Sequence, residues 1–163
     1  MDPQPAESQF RFDKHRAEAV VTLVTNENIK GCFFTAASAR RDGAERIGDL
    51  LNSETGFFPF EVHSDGEATT VLYNRIHVIA VRVMDDEARR DPGYAVATRR
   101  IVSILLSNSQ RVTGEVRVYR PEGRDRLSDW TRQPEVFRYV EAADATYIVN
   151  AAHIVSVTEV SGS

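Results

Sequence analysis

The side chains able to do chemistry in this chain come in matched pairs. Arg46 and Asp49 stand three residues apart, and so do Arg126 and Asp129; His77 follows Asn74 as His153 follows Asn150. A guanidinium and a carboxylate at that spacing share one turn of helix, where they either pair with each other or hold a carboxylate or phosphate between them. Histidines at equal places can mark twin sites, but neither has a second histidine, cysteine or carboxylate at metal-ligand spacing. Each is therefore read as a structural hydrogen-bonding residue at the start of a core-facing strand. His15 and His63 have no match. The single cysteine, Cys32, excludes an internal disulfide and reads as a buried, inert thiol. With no glycine-rich phosphate loop, serine elbow or metal motif, the expectation is a non-catalytic protein with no cofactor and no metal.

The elements that must position these residues are themselves repeated. Gly43-Ala44-Glu45-Arg46-Ile47-Gly48-Asp49-Leu50 returns as Gly123-Arg124-Asp125-Arg126-Leu127-Ser128-Asp129-Trp130, and Asn74 to Val81 returns as Asn150 to Val157. Two matches in the same order predict a tandem duplication, in which each copy obeys the same packing rules. The division follows: a loose arm over 1–16, a first β repeat over 17–84, a charged linker over 85–98 and a second β repeat over 99–160. Each repeat is roughly 65 residues, a size at which a lone core is marginal, so the copies are expected to lean on each other.

Within each copy the pattern reads as strands with one short helix. Ala19 to Val24 and Ile29 to Thr35 form a β-branched hairpin, answered by Ile101 to Leu106 and Arg111 to Tyr119. Gly31 and Gly114 fall at equal places inside the second strand, which predicts a bulge or bend. A short helix follows, with Ile47, Leu50 and Leu51 or Leu127 and Trp130 inward. The strand Phe57 to His63 answers Phe137 to Glu141, and Pro59 places the former at an edge or with its amide outward. Two more strands meet at Asn74 and Asn150, whose type suits a tight joint. The fold class is thus mainly β with short helices: two repeated five-stranded bent sheets or partly open barrels, packed as a pseudo-dimer.

This order of elements, with the interior glycines and the asparagine-centred joints, resembles the Sm-like group of small β-barrels; the segments Asn74 to Val81 and Asn150 to Val157 look like the place of that group's second motif. The pattern is also similar to small bacterial domains of no assigned function. The resemblance implies RNA binding as an alternative role; none of the group's RNA-binding residues carries over, and the candidates for that role are this chain's own arginines, such as Arg117, Arg120, Arg124 and Arg126. The formal charge of −4 disfavours nucleic acid as the main partner.

Function is expected instead where the copies differ. Cys32, Phe34, Ile76, Val78 and Ala80 give the first copy a second apolar face, where the second copy has Glu115 and Arg117 on one strand and Ser156 and Thr158 on another. Such a face implies a cover, so the leading expectation is an interaction or regulatory module that binds protein or a small ligand, or associates with itself. No apolar run reaches the length of a membrane helix. The start, Met1 to Ser8, lacks the layout of a secretion signal, which makes a cytoplasmic chain the expectation.

Overall fold

In a computed structural model, which describes residues 14–36, 45–119, 123 and 126–160, ten antiparallel strands form one continuous sheet that does not close into a barrel. The N-terminal half runs β1 (Lys14–Leu23), β2 (Asn28–Ala36), helix α1 (Ile47–Ser53), β3 (Phe57–Ser64), β4 (Glu67–Asn74) and β5 (Val78–Val83). The C-terminal half repeats that succession as β6 (Thr98–Leu106), β7 (Arg111–Val118), α2 (Leu127–Thr131), β8 (Phe137–Ala142), β9 (Thr146–Asn150) and β10 (Ile154–Glu159). β1 begins at Lys14, inside the segment read from the sequence as a loose arm. The segment between the halves, read as a linker, contains two 3-10 turns, Glu87–Arg90 and Tyr94–Val96.

Across the sheet the order is β10-β6-β7-β8-β9-β5-β1-β2-β3-β4. Each half therefore places its fifth strand beside its first and ends on its fourth. The halves join where β5 meets β9, leaving β10 and β4 as the free edges.

The interior glycines act through close approach. β2 pairs with β1 along its whole length but with β3 only over Gly31, Cys32 and Phe33, and β7 meets β8 only at Gly114 and Glu115. A Cβ on Gly31 would run into the carbonyl oxygen of Glu61, and one on Gly114 into that of Glu141. Neither glycine has a positive φ. The bend expected at these positions is thus a crossing of backbones that excludes any side chain. Pro59 sits in an internal strand, but β2 covers β3 only from Phe60 to Val62, so the proline lies outside that shared stretch.

Two apolar clusters form the core, and at the β5–β9 pairing they lie on opposite faces of the sheet. One gathers Val21, Phe33, Ile47, Leu51, Phe58 and Phe60, with Phe33 stacked on Phe58 and edge-on to Phe60 at 5.0 Å. The other gathers Val102, Ile104, Leu106, Val116, Val118 and Trp130. The strict alternation expected along β5 breaks: the β1 register steps from Thr22↔Ala80 to Leu23↔Val78, so Ile79 is a bulge. Val78, Val81 and Val83 consequently pack in the first cluster, while Ile79 and Ala80 pack in the second. This corrects two expectations. His77 is exposed rather than core-facing, and Ile76, Val78 and Ala80 do not share a face.

Candidate functional site

The seam between the halves is built from backbone first. Ala80, Val81, Arg82 and Val83 of β5 pair with Val149, Ile148, Tyr147 and Thr146 of β9. Side chains then interlock across it. Ile79 and Ala80 are carried into the C-terminal cluster, and Phe137 and Ile148 are carried into the N-terminal one. Burying four such side chains in the opposite half's core makes the two cores interdependent.

At the end of the seam the matched asparagine and histidine of the C-terminal half reach across it. The buried Asn150 side chain accepts from the Ala152 N–H at 2.9 Å and donates through Nδ2 to the Val78 carbonyl at 2.9 Å. His153 Nε2 lies 2.8 Å from the Ile76 carbonyl oxygen, and Nδ1 lies 2.9 Å from Ser107 Oγ. A carbonyl only accepts, so Nε2 carries the proton, and in the neutral ring the serine hydroxyl donates to Nδ1. Asn74 also accepts from its own turn, at Ile76 N–H, but neither its Nδ2 nor the His77 ring makes a cross-sheet bond among the described residues. The repeated Asn-x-x-His is thus a bolt at one place, while at the other Asn74 is half-buried and His77 exposed.

The Arg-x-x-Asp pairs cap the two short helices. Arg46 grips Asp49 with a forked pair at 3.0 and 2.8 Å, and its own N–H donates to the same carboxylate. Burial works against the charge of Asp49, but the Arg46 hydrogen bonds and charge outweigh it and hold the carboxyl below its usual range. Arg126 repeats only the backbone bond, donating its N–H to Asp129 at 3.0 Å. The first pair is consumed locally, as a capping box would consume it, whereas in the second only the Arg126 N–H is engaged by Asp129.

Four buried charges among the described residues escaped the sequence reading, Glu61 of β3 and three that serve the helix ends. Glu87 accepts from the N–H groups of Ile47 and Gly48 at the start of α1 and from the Tyr139 hydroxyl at 2.7 Å. Arg75 donates to the carbonyls of Leu50, Leu51 and Phe57, satisfying the end of α1. Arg138 does the same for α2 through Trp130, Gln133 and Glu135. Each lies in an ordinary run of charged or strand residues, so no local signal marks it. Only the three-dimensional convergence does.

Beside these caps lies an open cleft of about 610 Å³, bounded by α1, the segment between the halves, β7, β8 and the end of α2. Arg117 on its wall stacks on Tyr94 at 3.9 Å and donates to the Tyr94 hydroxyl, which in turn donates to Glu141 at 2.6 Å. Of the arginines named for the RNA-binding alternative, Arg117 is engaged in this network and Arg126 is exposed at the N-cap of α2, while Arg120 and Arg124 fall outside the described residues. The expected interface set does not come together: Cys32, Val78 and Ala80 are buried, Phe34 is half-buried and Ile76 projects into solvent. No described helix is long and apolar enough to cross a membrane. No family model matches this chain, and no curated protein or solved structure matches it either.

Proposed function

We propose that the chain is a tandem pair of matching β units acting as a non-catalytic assembly module, whose partner is a second copy of the same chain. The free edges β4 and β10 are the counterparts of β9 and β5, the strands already joined at the internal seam. One observation carries the reading: residues buried at the seam have exposed apolar counterparts at the free edges. Ile148 of β9 and Ile79 of β5 are 0% and 1% exposed, whereas Leu72 of β4 and Val155 of β10 are 64% and 63% exposed; on the neighbouring strands Phe137 of β8 is 3% exposed and Phe57 of β3 is 59% exposed. Large apolar side chains at an unpaired strand edge favour addition of another strand.

The seam supplies the register. Repeating it between chains pairs Thr70, Val71, Leu72 and Tyr73 of one copy with Glu159, Thr158, Val157 and Ser156 of the next. Asn74 then donates to the Ile154 carbonyl of the second copy and His77 to that of Ala152, the bonds that Asn150 and His153 make internally. The contact joins two different edges, so it is heterologous and either closes into a ring or runs on as a filament.

Solution mass tests this. The wild-type chain is expected to sediment as a multimer at micromolar concentration, and Leu72→Glu, at an exposed site, to sediment as a monomer with an unchanged far-UV spectrum. A monomeric wild-type chain, or a variant that assembles like it, overturns the proposal.

A further inference from the structure

A second site stands apart from the seam and does not depend on the assembly reading. Cys32 of β2 pairs directly with Glu61 of β3, and His63 lies two residues further along the same strand. One ligand atom from each, the Cys32 sulfur, a Glu61 carboxylate oxygen and a His63 ring nitrogen, all lie within 4.8 Å of one another. Cys32 and Glu61 are buried while the imidazole is accessible, so the group opens to solvent on one side.

The matched position in the C-terminal half shows what this cluster lacks. There Glu141 pairs with Glu115, which stands where Cys32 does, and is served by two cations and a donor: the partly buried Arg117 Nε at 3.9 Å, the exposed Arg89 Nε at 3.6 Å and the Tyr94 hydroxyl at 2.6 Å. In the N-terminal half Phe34 stands in place of Arg117. The buried Glu61 carboxylate is left with the His63 ring at 2.9 Å and with Arg16 at 3.4 Å, whose side chain is 68% exposed. Where one half keeps an arginine, the other has a thiol and an imidazole converging on the same carboxylate.

We infer that Cys32, Glu61 and His63 form a binding site for a thiophilic divalent cation, Zn²⁺ being the best match to one sulfur, one nitrogen and one oxygen donor. A tetrahedral zinc ion with bonds of about 2.0 to 2.3 Å holds its ligands roughly 3.4 Å apart, within reach of this cluster after small side-chain rotations. Three protein ligands leave the fourth position to water on the open side. Charge favours the same conclusion. Cys32 is flanked across the sheet by two carboxylate residues, Glu18 of β1 and Glu61 of β3, with the largely exposed Arg16 3.4 Å from Glu61. Binding displaces the thiol proton to solvent and forms the sulfur–metal bond, and the cation neutralises what the arginine does in the other half.

Cobalt(II) titration of the reduced, chelator-treated full-length chain tests the site, with Zn²⁺ competing. The wild-type protein is expected to take up one equivalent of Co²⁺ with a thiolate-to-cobalt charge-transfer band, which Zn²⁺ bleaches. Cys32→Ser is expected to abolish the band, and His63→Ala and Glu61→Gln each to weaken Zn²⁺ binding by at least about tenfold, since even outer partners of a metal ligand are worth that much. Arg16→Ala is expected to tighten it, because Arg16 competes for Glu61. His63 is accessible, so its variant remains decisive should Cys32→Ser fail to fold. Absence of the band in the wild-type chain overturns the inference, as does His63→Ala binding Zn²⁺ with wild-type affinity.

Discussion

Tyr139 is the residue on which both halves and the segment between them converge. Its hydroxyl donates to Glu87 and accepts from the Gly48 N–H at 3.1 Å, and its ring lies beneath the Arg46 guanidinium. Gly48 is required for that approach, because a Cβ there would sit 2.5 Å from the hydroxyl oxygen. Burial pushes the Glu87 carboxyl above its ordinary value, against the Tyr139 hydroxyl and the two helix N–H groups, which favour the ionised form. An acid whose folded pKa is raised binds its proton more tightly in the native state, so its contribution to stability is full below the ordinary carboxylate range and falls as pH rises through the raised value. Tyr139→Phe removes one of the donors that oppose this rise. Its expected cost is about 1 to 3 kcal/mol, the penalty for leaving buried polar groups short of a partner, and its stability should fall more steeply than wild type on the alkaline side of the carboxylate range. Urea unfolding of the two proteins across that range reads both effects. Equal stability with parallel pH profiles would show that the Tyr139 hydroxyl supports neither Glu87 nor α1.

At the scale of elements, the strands that β-branched runs and turns announce are present, and the short helices fall where Ile47, Leu51 and Trp130 point inward. What local pattern could not supply is register. The bulge at Ile79 arises from how β5 lies against β1, and it puts Ile79 beside Ala80 in the opposite core and Val78 with Val81, although the apolar run Val78-Ile79-Ala80-Val81 carries no mark of it. Cys32, Glu61 and His63 meet for the same reason: strand pairing, not spacing along the chain, sets them side by side. Glu87 looks like any residue of a solvated charge run until the start of α1 is placed over it. The matched glycines were legible, because a side chain is excluded at the same crossing in both halves. Gly31→Ala and Gly114→Ala must each force β2 from β3 or β7 from β8, with a cost of about 1 to 3 kcal/mol, typical of overpacking. A denaturation midpoint unchanged by either substitution would mean that the crossing relaxes freely and the glycine repeat has another origin.

For the whole molecule, the decisive question is whether the two edges recognise each other or merely resemble each other. Single substitutions cannot separate these, since any charge on an apolar edge reduces association. A heterologous contact makes a sharper demand. Leu72→Glu spoils β4 but leaves β10 intact, and Val155→Glu spoils β10 but leaves β4 intact; both side chains are exposed, so both variants should fold. Each alone is expected to be monomeric, because every contact needs one edge of each kind. Mixed in equal amounts they regain a single productive pair, the β10 of the first with the β4 of the second, and should form a dimer that grows no further. Sedimentation of the mixture reads this directly. If the contact instead joined like edges, Leu72→Glu alone would still dimerise through β10, Val155→Glu alone would still dimerise through β4, and mixing would add nothing. A mixture that stays monomeric while the wild-type chain assembles would remove the β5–β9 seam as the template for assembly, and with it the roles assigned to Asn74 and His77.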